Sequence, residues 1–159
     1  MDQRSNFSAA TRNLLASRAG YQCSVLNCGR PTIGPGTGPE QVVRTGLAAH
    51  INAASPNGPR GSGGLTTEQL RLPGNGIWCC HDHGKVIDSD KGAVFSAAQL
   101  KAWKRLHEAR KGMEVHGLAA DRFGLVESIT INSAPVAALS GATLPLGDEA
   151  AELTLPDPT

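Results

Sequence analysis

Two segments of the chain place apolar residues at helical spacing, one near each end of the first 112 residues. The first, residues 8–19, begins at Ser8, a typical N-cap, and carries Leu14 and Leu15 as its apolar stripe. The second follows Ser96, also a good N-cap. Its predicted packed face consists of Leu100, Trp103 and Leu106. Its basic residues fall on the remaining faces, which is typical of a solvated surface: Lys101, Lys104, Arg105, Arg110 and Lys111.

Between these helices the pattern favours short strands and loops. Residues 42–51, VVRTGLAAHI, are rich in β-branched and apolar residues and predict one or two strands that end near His50. Residues 75–78 predict a further strand, and residues 80–87 predict the start of a helix. Turn-rich sequence predicts loops at 31–39 and 55–64, and LTTEQLRL predicts one helical turn.

The composition indicates a small domain that needs a staple. Only 4% of the 159 residues are aromatic, whereas glycine and proline together number 29, so a large core is not expected. The chain shows neither a signal peptide nor an apolar run of about 20 residues. We therefore expect a reducing cytoplasmic location, where clustered cysteines more often bind metal than form disulfides.

Charge is distributed unevenly along the chain. Residues 1–120 carry 14 Lys and Arg against 8 Asp and Glu, whereas residues 121–159 carry one Arg against 6 acidic residues. A basic body suits a polyanionic partner such as nucleic acid. The acidic tail, in which GLVESITI resembles a strand, is either a partly ordered appendage or a docking segment for a protein partner.

Four cysteines and a histidine pair supply the candidate metal ligands. Cys23 and Cys28 have four residues between them, which is a spacing found in one half of structural zinc sites. The second half must come from residues 79–83, CCHDH, where Cys80 and His83 can face one ion from a single helical turn. Cys79 and His81 are the alternatives, although Cys79 follows a predicted strand and is expected to enter the core. The predicted site is a closed Cys3His zinc that holds the fold: Cys23, Cys28, Cys80 and His83.

Three ordered motifs resemble the HNH endonucleases of the His-Me finger (ββα-metal) superfamily. The motifs are CSVLNC at 23–28, AAHINAASPNGPR at 48–60 and NGIWCCHDHGKVIDSD at 75–90. The family pattern is a cysteine pair, a strand bearing a histidine, then an asparagine five residues ahead of a second metal-binding pair on a helix. The resemblance covers about residues 10 to 112. The sequences AAHINAASPNGPR and NGIW are similar to those of the nuclease domains of bacterial antiphage effectors.

The resemblance implies that His50 and Asn75 serve phosphodiester hydrolysis. A neutral histidine can take a proton from water, so His50 is the candidate general base. Asn75 cannot exchange protons at physiological pH, and its amide is expected either to fix the His50 ring or to brace the loop that carries it. The alternatives are a core histidine with a satisfied hydrogen bond and an asparagine that serves a turn.

Two positions depart from the family pattern. Many members have Asp or His where this chain has Ala49, and a further histidine where this chain has Gly84, as ligands of the catalytic Mg2+ or Mn2+. Asp88, four residues after Gly84, is the candidate replacement ligand, and the alternative is a solvent-exposed carboxylate. Asp90 and His81 are weaker substitutes.

The sequence therefore predicts an α+β, zinc-stapled ββα-metal domain over residues 8–112 with flanking helices, and an irregular or β-containing acidic tail over residues 113–159. We expect a metal-dependent endonuclease that cleaves double-stranded DNA in antiphage defence and uses Arg60 and Lys85 for phosphate contacts. A catalytically silent zinc-knuckle module that binds DNA or recruits a partner is the alternative. A toxin delivered into rival bacteria would use the same nuclease chemistry in another setting.

Overall fold

A computed structural model describes residues 5–118 and shows a small mixed α+β architecture. Within this range there are four α-helices and two antiparallel two-stranded sheets. None of the described helices combines the length and the apolar character needed to cross a bilayer. The predicted strand at GLVESITI and most of the predicted tail lie outside the described residues.

The helices follow the predicted pattern closely. Helix α1 spans Ala9–Arg18, and the Ser8 hydroxyl accepts a hydrogen bond from the Thr11 backbone N–H. Leu15 is buried, whereas Leu14 is half-exposed and contributes less to the core than its position in the stripe predicts. Helix α2 spans Thr67–Leu70, which confirms the expected helical turn.

Helix α4 spans Ala97–Val115 and closes the domain. Ser96 forms a capping box with Gln99, so the predicted start of the helix is confirmed. Leu100, Trp103 and Leu106 are buried as predicted. Two of its lysines are not freely solvated, because Lys104 and Lys111 pair with glutamates on the same helix.

The first sheet includes a strand that the sequence pattern did not predict. Strand β1, Ile33–Pro35, lies in the segment expected to be a loop and pairs antiparallel with β2, Val42–Arg44. A three-residue strand followed by GTGP leaves little periodicity to detect, and the pairing depends on the partner strand.

The second sheet is the hairpin that positions the candidate site. Strand β3, Gly46–His50, pairs antiparallel with β4, Gly76–Cys80, so that Gly46 faces Cys80 and His50 faces Gly76. Helix α3, His81–Val86, follows β4 directly with Cys80 at its N-cap. The hairpin, α3 and α4 share one core: Cys23, Ala49, Ile51, Ile77, Cys79, Cys80, Ile87, Leu100 and Trp103.

Candidate functional site

One end of the β3–β4 hairpin carries a cluster of metal-ligating side chains. The ligand atoms of its four residues all lie within 4.8 Å of one another. The Nδ1 atom of His83 is 3.4 Å from the sulfur of Cys80 and 3.6 Å from the sulfur of Cys23. The cluster can therefore hold a metal ion, and its members are those predicted from the spacing: Cys23, Cys28, Cys80 and His83.

The strand-to-helix junction explains the local geometry of this cluster. Cys80 ends β4 and caps α3, and His83 falls in the first turn of α3, so both side chains face the loop that carries Cys23 and Cys28. The backbone N–H of Cys28 donates to Val25 O, which tightens the loop between the two cysteines. Cys79 points to the opposite side of β4 and is fully buried in the core, as expected from strand alternation.

The environment of Cys23 favours its thiolate, which is the form that binds metals. Hydrogen bonding with the Cys79 thiol lowers the pKa of Cys23, although burial opposes this effect. The same hydrogen bond, together with burial, raises the pKa of Cys79. Burial also raises the pKa of Cys28, which lies at the more exposed side of the cluster. Cys23 therefore favours the thiolate, whereas Cys79 favours the protonated thiol.

The other end of the hairpin opens into a cavity of about 180 Å³. His50, at the end of β3, lines it together with Arg60 and Asp88, which come from different loops. Ala49 and Gly84, the two positions where the chain departs from the nuclease pattern, line the same cavity. The fold therefore places the predicted base, the predicted carboxylate and both positions that depart from the nuclease pattern around one cavity.

Arg60 binds the walls of this cavity together. Its guanidinium donates to the carbonyl oxygens of His50 and Ile51 at 3.0 and 2.6 Å, and to the Ile87 oxygen at 2.6 Å. It also pairs with Asp88 Oδ1 at 2.6 Å, and its side chain is only 5% exposed. Through these four hydrogen bonds, Arg60 connects the end of β3 to the end of α3.

Asn75 fixes the backbone immediately after His50. Its Oδ1 accepts from the Asn52 backbone N–H at 2.8 Å, and its Nδ2 donates to the oxygens of Asn52 and Leu70 at 3.0 Å each. The Ile51 N–H also donates to the Asn75 backbone oxygen. Of the two tasks expected for this amide, these contacts correspond to bracing the loop that carries the histidine. A part in catalysis stays a prediction.

The remaining predicted residues lie on the surface. Lys85 and His81 are exposed on α3, and Asp90 is exposed after it with a left-handed φ of 50°. These three are not among the residues that line the cavity. Asp88 is 42% exposed at its side chain, so it is open to solvent while paired with Arg60.

Sequence reasoning missed Ser5 and Phe7, which both contact His50. Ser5 O accepts from His50 Nε2 at 2.8 Å, and the Phe7 ring stacks on the imidazole with centroids 3.8 Å apart. These residues precede His50 by more than 40 positions, so periodicity could not connect them. The available signal was an aromatic residue directly before a helix N-cap, a position that often packs.

Comparison with known proteins adds no relative: no protein-family model and no curated protein matches this chain.

Proposed function

We propose that this protein is an HNH-type endonuclease of the His-Me finger superfamily that hydrolyses phosphodiester bonds in double-stranded DNA. The observation that carries the proposal is the single β3–β4 hairpin with a metal-ligand cluster at one end and His50 in a cavity at the other. Helix α3 follows the hairpin directly, which supports a ββα-metal unit. The motif at 48–60 begins on β3, the motif at 75–90 covers β4 and α3, and the loop that carries CSVLNC supplies two members of the cluster.

The cluster dimensions support a structural zinc ion. Tetrahedral zinc with bonds of about 2.3 Å to sulfur and about 2.0 Å to nitrogen spaces these two ligand types about 3.5 Å apart. The sulfur–nitrogen distances of 3.4 and 3.6 Å agree with this value. Three cysteines and one histidine complete a four-ligand set, so this ion stabilises the fold and takes no part in hydrolysis.

His50 acts as the general base in the proposed reaction. It accepts a proton from the attacking water, while Arg60 and Asn75 hold the backbone that directly follows it. Asn75 does this through Asn52, and Arg60 through the His50 carbonyl. A loop held from two directions keeps the imidazole at a fixed position, which proton transfer requires.

Asp88 is the residue that would hold a catalytic Mg2+ or Mn2+ ion. It presents a carboxylate to the same cavity as His50, and hard divalent cations prefer such oxygen ligands. When bound, the ion supplies stabilisation of the charge that develops on the phosphate and the leaving oxygen. Arg60, paired with Asp88, orients this carboxylate.

The proposed substrate contacts are electrostatic. Lys85, exposed on the helix whose Gly84 lines the cavity, would contact a DNA phosphate. Arg60 was predicted for the same task, but its guanidinium is buried and donates to four protein oxygens, so its part in this proposal is to hold the cavity wall. Antiphage defence belongs to the proposal through the sequence resemblance, whereas a cytoplasmic setting and a regulatory partner for residues 113–159 rest on the cysteine pattern and the acidic charge of the tail.

One observation favours a second candidate, a catalytically silent zinc module that binds DNA or recruits a partner. Ala49 and Gly84 line the cavity without a ligating atom. A side chain at Gly84 would collide with Leu47, because α3 packs closely on β3 at this point. The family's usual metal ligand at that position therefore has no space here unless Leu47 moves.

Plasmid digestion with Mg2+ or Mn2+ distinguishes the two candidates. We expect the native chain to cleave DNA. The cleavage rate of His50→Ala should be at least about 100-fold lower, as expected for the loss of a general base. His50→Gln retains an amide donor for Ser5 O but cannot accept the proton, so it should be equally slow. His116→Ala, at an exposed histidine beyond α4, is the matched control and should cleave normally.

Two results would contradict the nuclease proposal. Cleavage that persists in His50→Gln removes His50 from the mechanism. A native chain that cleaves neither plasmid nor single-stranded DNA nor RNA with either metal, yet shifts labelled DNA in a binding assay, identifies the silent module.

A further inference from the structure

The segment before α1, residues 5–7, lies directly on the His50 imidazole. The Ser5 carbonyl meets the edge of the ring at Nε2, 2.8 Å away. The Phe7 ring covers one face, with an interplanar angle of 4°. Ser5 and Phe7 are 2% and 5% exposed, so both contacts are shielded from water.

This segment is held in place from both sides. The Ser5 backbone N–H donates to Ala54 O at 2.8 Å, and Ala54 lines the same cavity as His50. At the other end, Arg12 Nη1 donates to Phe7 O at 2.8 Å. A side chain at Gly76, opposite His50 in the hairpin, would collide with Leu15 and lie 3.0 Å from the Phe7 ring, so the glycine permits this close packing. The contacts with His50 are thus part of a fixed arrangement.

The chemistry of these contacts determines the state of the imidazole. A backbone carbonyl oxygen can only accept a hydrogen bond, so His50 Nε2 must carry the proton that it donates. In the neutral ring the lone pair then lies on Nδ1, which becomes the nitrogen able to take a proton. Parallel stacking on Phe7 limits rotation of the ring about its bond to Cβ.

We infer that residues 5–7 form a positioning element of the catalytic centre, which fixes His50 as the tautomer with a basic Nδ1. This inference rests on the proposed nuclease function, and it adds a part of the chain that precedes the resemblance to HNH nucleases. Ser5 and Phe7 act through His50, so they are positioning residues.

Two shortened chains isolate the Ser5 carbonyl. One begins with Met in place of Arg4 and keeps residue 5, whereas the other begins with Met in place of Asn6 and has no residue 5. We expect kcat for DNA cleavage in the second chain to fall about 10- to 100-fold below the first, with KM within about twofold, since orientation of the base matters mainly in the transition state. Metal content should be equal in both.

Substitutions in the full chain separate the two contacts. Phe7→Leu keeps an apolar side chain beside Gly76 but removes the stacked ring, and we expect kcat to fall with little change in KM. Asn13→Ala, at an exposed residue of α1, is the control, and its kcat should equal that of the native chain. Equal kcat values for the two shortened chains would contradict the assigned role of the Ser5 carbonyl.

Proton NMR of His50 provides a readout independent of cleavage. The native chain and Asn13→Ala should show a slowly exchanging Hε2 resonance, and the chain without residue 5 should lose it. If this chain keeps native kcat and the resonance while His50→Gln is inactive, the inference is wrong and the nuclease proposal stands. If the native chain cleaves nothing, the nuclease proposal fails, and absence of the resonance from the native chain then also rejects the positioning contact.

Discussion

The two ends of the β3–β4 hairpin are built from the same two strands but in different ways. At the Cys80 end, four side chains converge on one point, and three of them are cysteines. At the His50 end, about 14 Å away at about 3.4 Å per residue, the side chains bind mostly backbone oxygens. One end is prepared for a metal ion, whereas the other is a protein network around a single imidazole.

The two ends therefore differ in the interactions that make them rigid. In the proposed zinc site, four ligands on one ion would make the Cys80 end rigid, and one of them, Cys23, has an environment that favours thiolate. The His50 end is held by hydrogen bonds from Arg60 and Asn75 to backbone carbonyl oxygens. Loss of metal and loss of a network donor should therefore have effects of different size.

The largest expected effect is at the Cys80 end. Cys80→Ser should lose the bound zinc and unfold, because zinc binding contributes on the order of 10 kcal/mol in small zinc domains. Metal analysis and thermal unfolding measure both effects. Cys79→Ala, at the adjacent core cysteine, is the control and should keep one zinc at a cost of about 1–2 kcal/mol. A Cys80→Ser chain that retains native zinc content and melting temperature would contradict the role of Cys80 as a ligand of a stabilising metal ion.

The next effect concerns the buried arginine of the His50 end. Arg60→Ala should lower the free energy of unfolding by about 3–5 kcal/mol, since it removes one hydrogen-bond donor from each of three carbonyl oxygens near the core. Urea unfolding of the zinc-bound protein measures this change. Arg71→Ala, at an exposed arginine, should stay within about 0.5 kcal/mol of the native chain. Equal stability of the two variants would contradict the network.

A smaller effect is expected at Asn75. Asn75→Ala should cost about 2–4 kcal/mol, because the Asn52 N–H and the oxygens of Asn52 and Leu70 are buried and lose their partners. Asn75→Asp keeps the acceptor for the Asn52 N–H but places a buried carboxylate against the oxygens of Asn52 and Leu70, so it should cost at least as much as Ala. The exposed Asn57→Ala serves as control in the same urea titration. A stable Asn75→Ala would show that water replaces the amide.

The smallest expected effect is the pH dependence of the free energy of unfolding that arises from His107. His107, on α4, is buried, and desolvation lowers its pKa, although its hydrogen bond to Ala19 O and the charge of Cys23 act in the opposite direction. Lys111 and Arg110 on the same helix add to the lowering. Below pH 6.5 the unfolded chain binds this proton more readily than the folded one, so the free energy of unfolding should decrease as pH falls from 6.5 through the folded pKa.

The matched variant for this test is His107→Gln, whose amide can still donate to Ala19 O but does not titrate. The unfolding free energy of the native chain minus that of the variant should decrease as pH falls from 6.5. Zinc ligands and Glu108 titrate in both chains and cancel in this difference. A difference that stays constant with pH would show that His107 has the same pKa in both states.

Much of the Cys80 end could be predicted from the sequence. The ligands occur as two local pairs, Cys23 with Cys28 and Cys80 with His83, and local spacing limits which side chains can meet at one ion. The burial of Cys79 followed from strand alternation. The α1 and α4 N-caps were predicted for the same reason, since Ser8 and Ser96 act on the turn next to them.

The His50 end could be predicted only in part. His50 and Asp88 were candidates, but their shared cavity depends on how α3 packs against β3. Ser5 and Phe7 carried no periodic signal toward His50, because the contact joins segments far apart in the chain. Strand β1 was missed because a three-residue strand becomes visible only beside its partner.

By itself, the sequence determined the interactions that close within one turn or one strand: helix caps, strand alternation and paired metal ligands. The tertiary structure alone decided what surrounds His50, namely a carbonyl from residue 5, a ring from residue 7 and a guanidinium from residue 60. The physical reason is that backbone carbonyls occur at every position. Which of them a buried donor meets depends on the packing of distant segments and not on any local pattern.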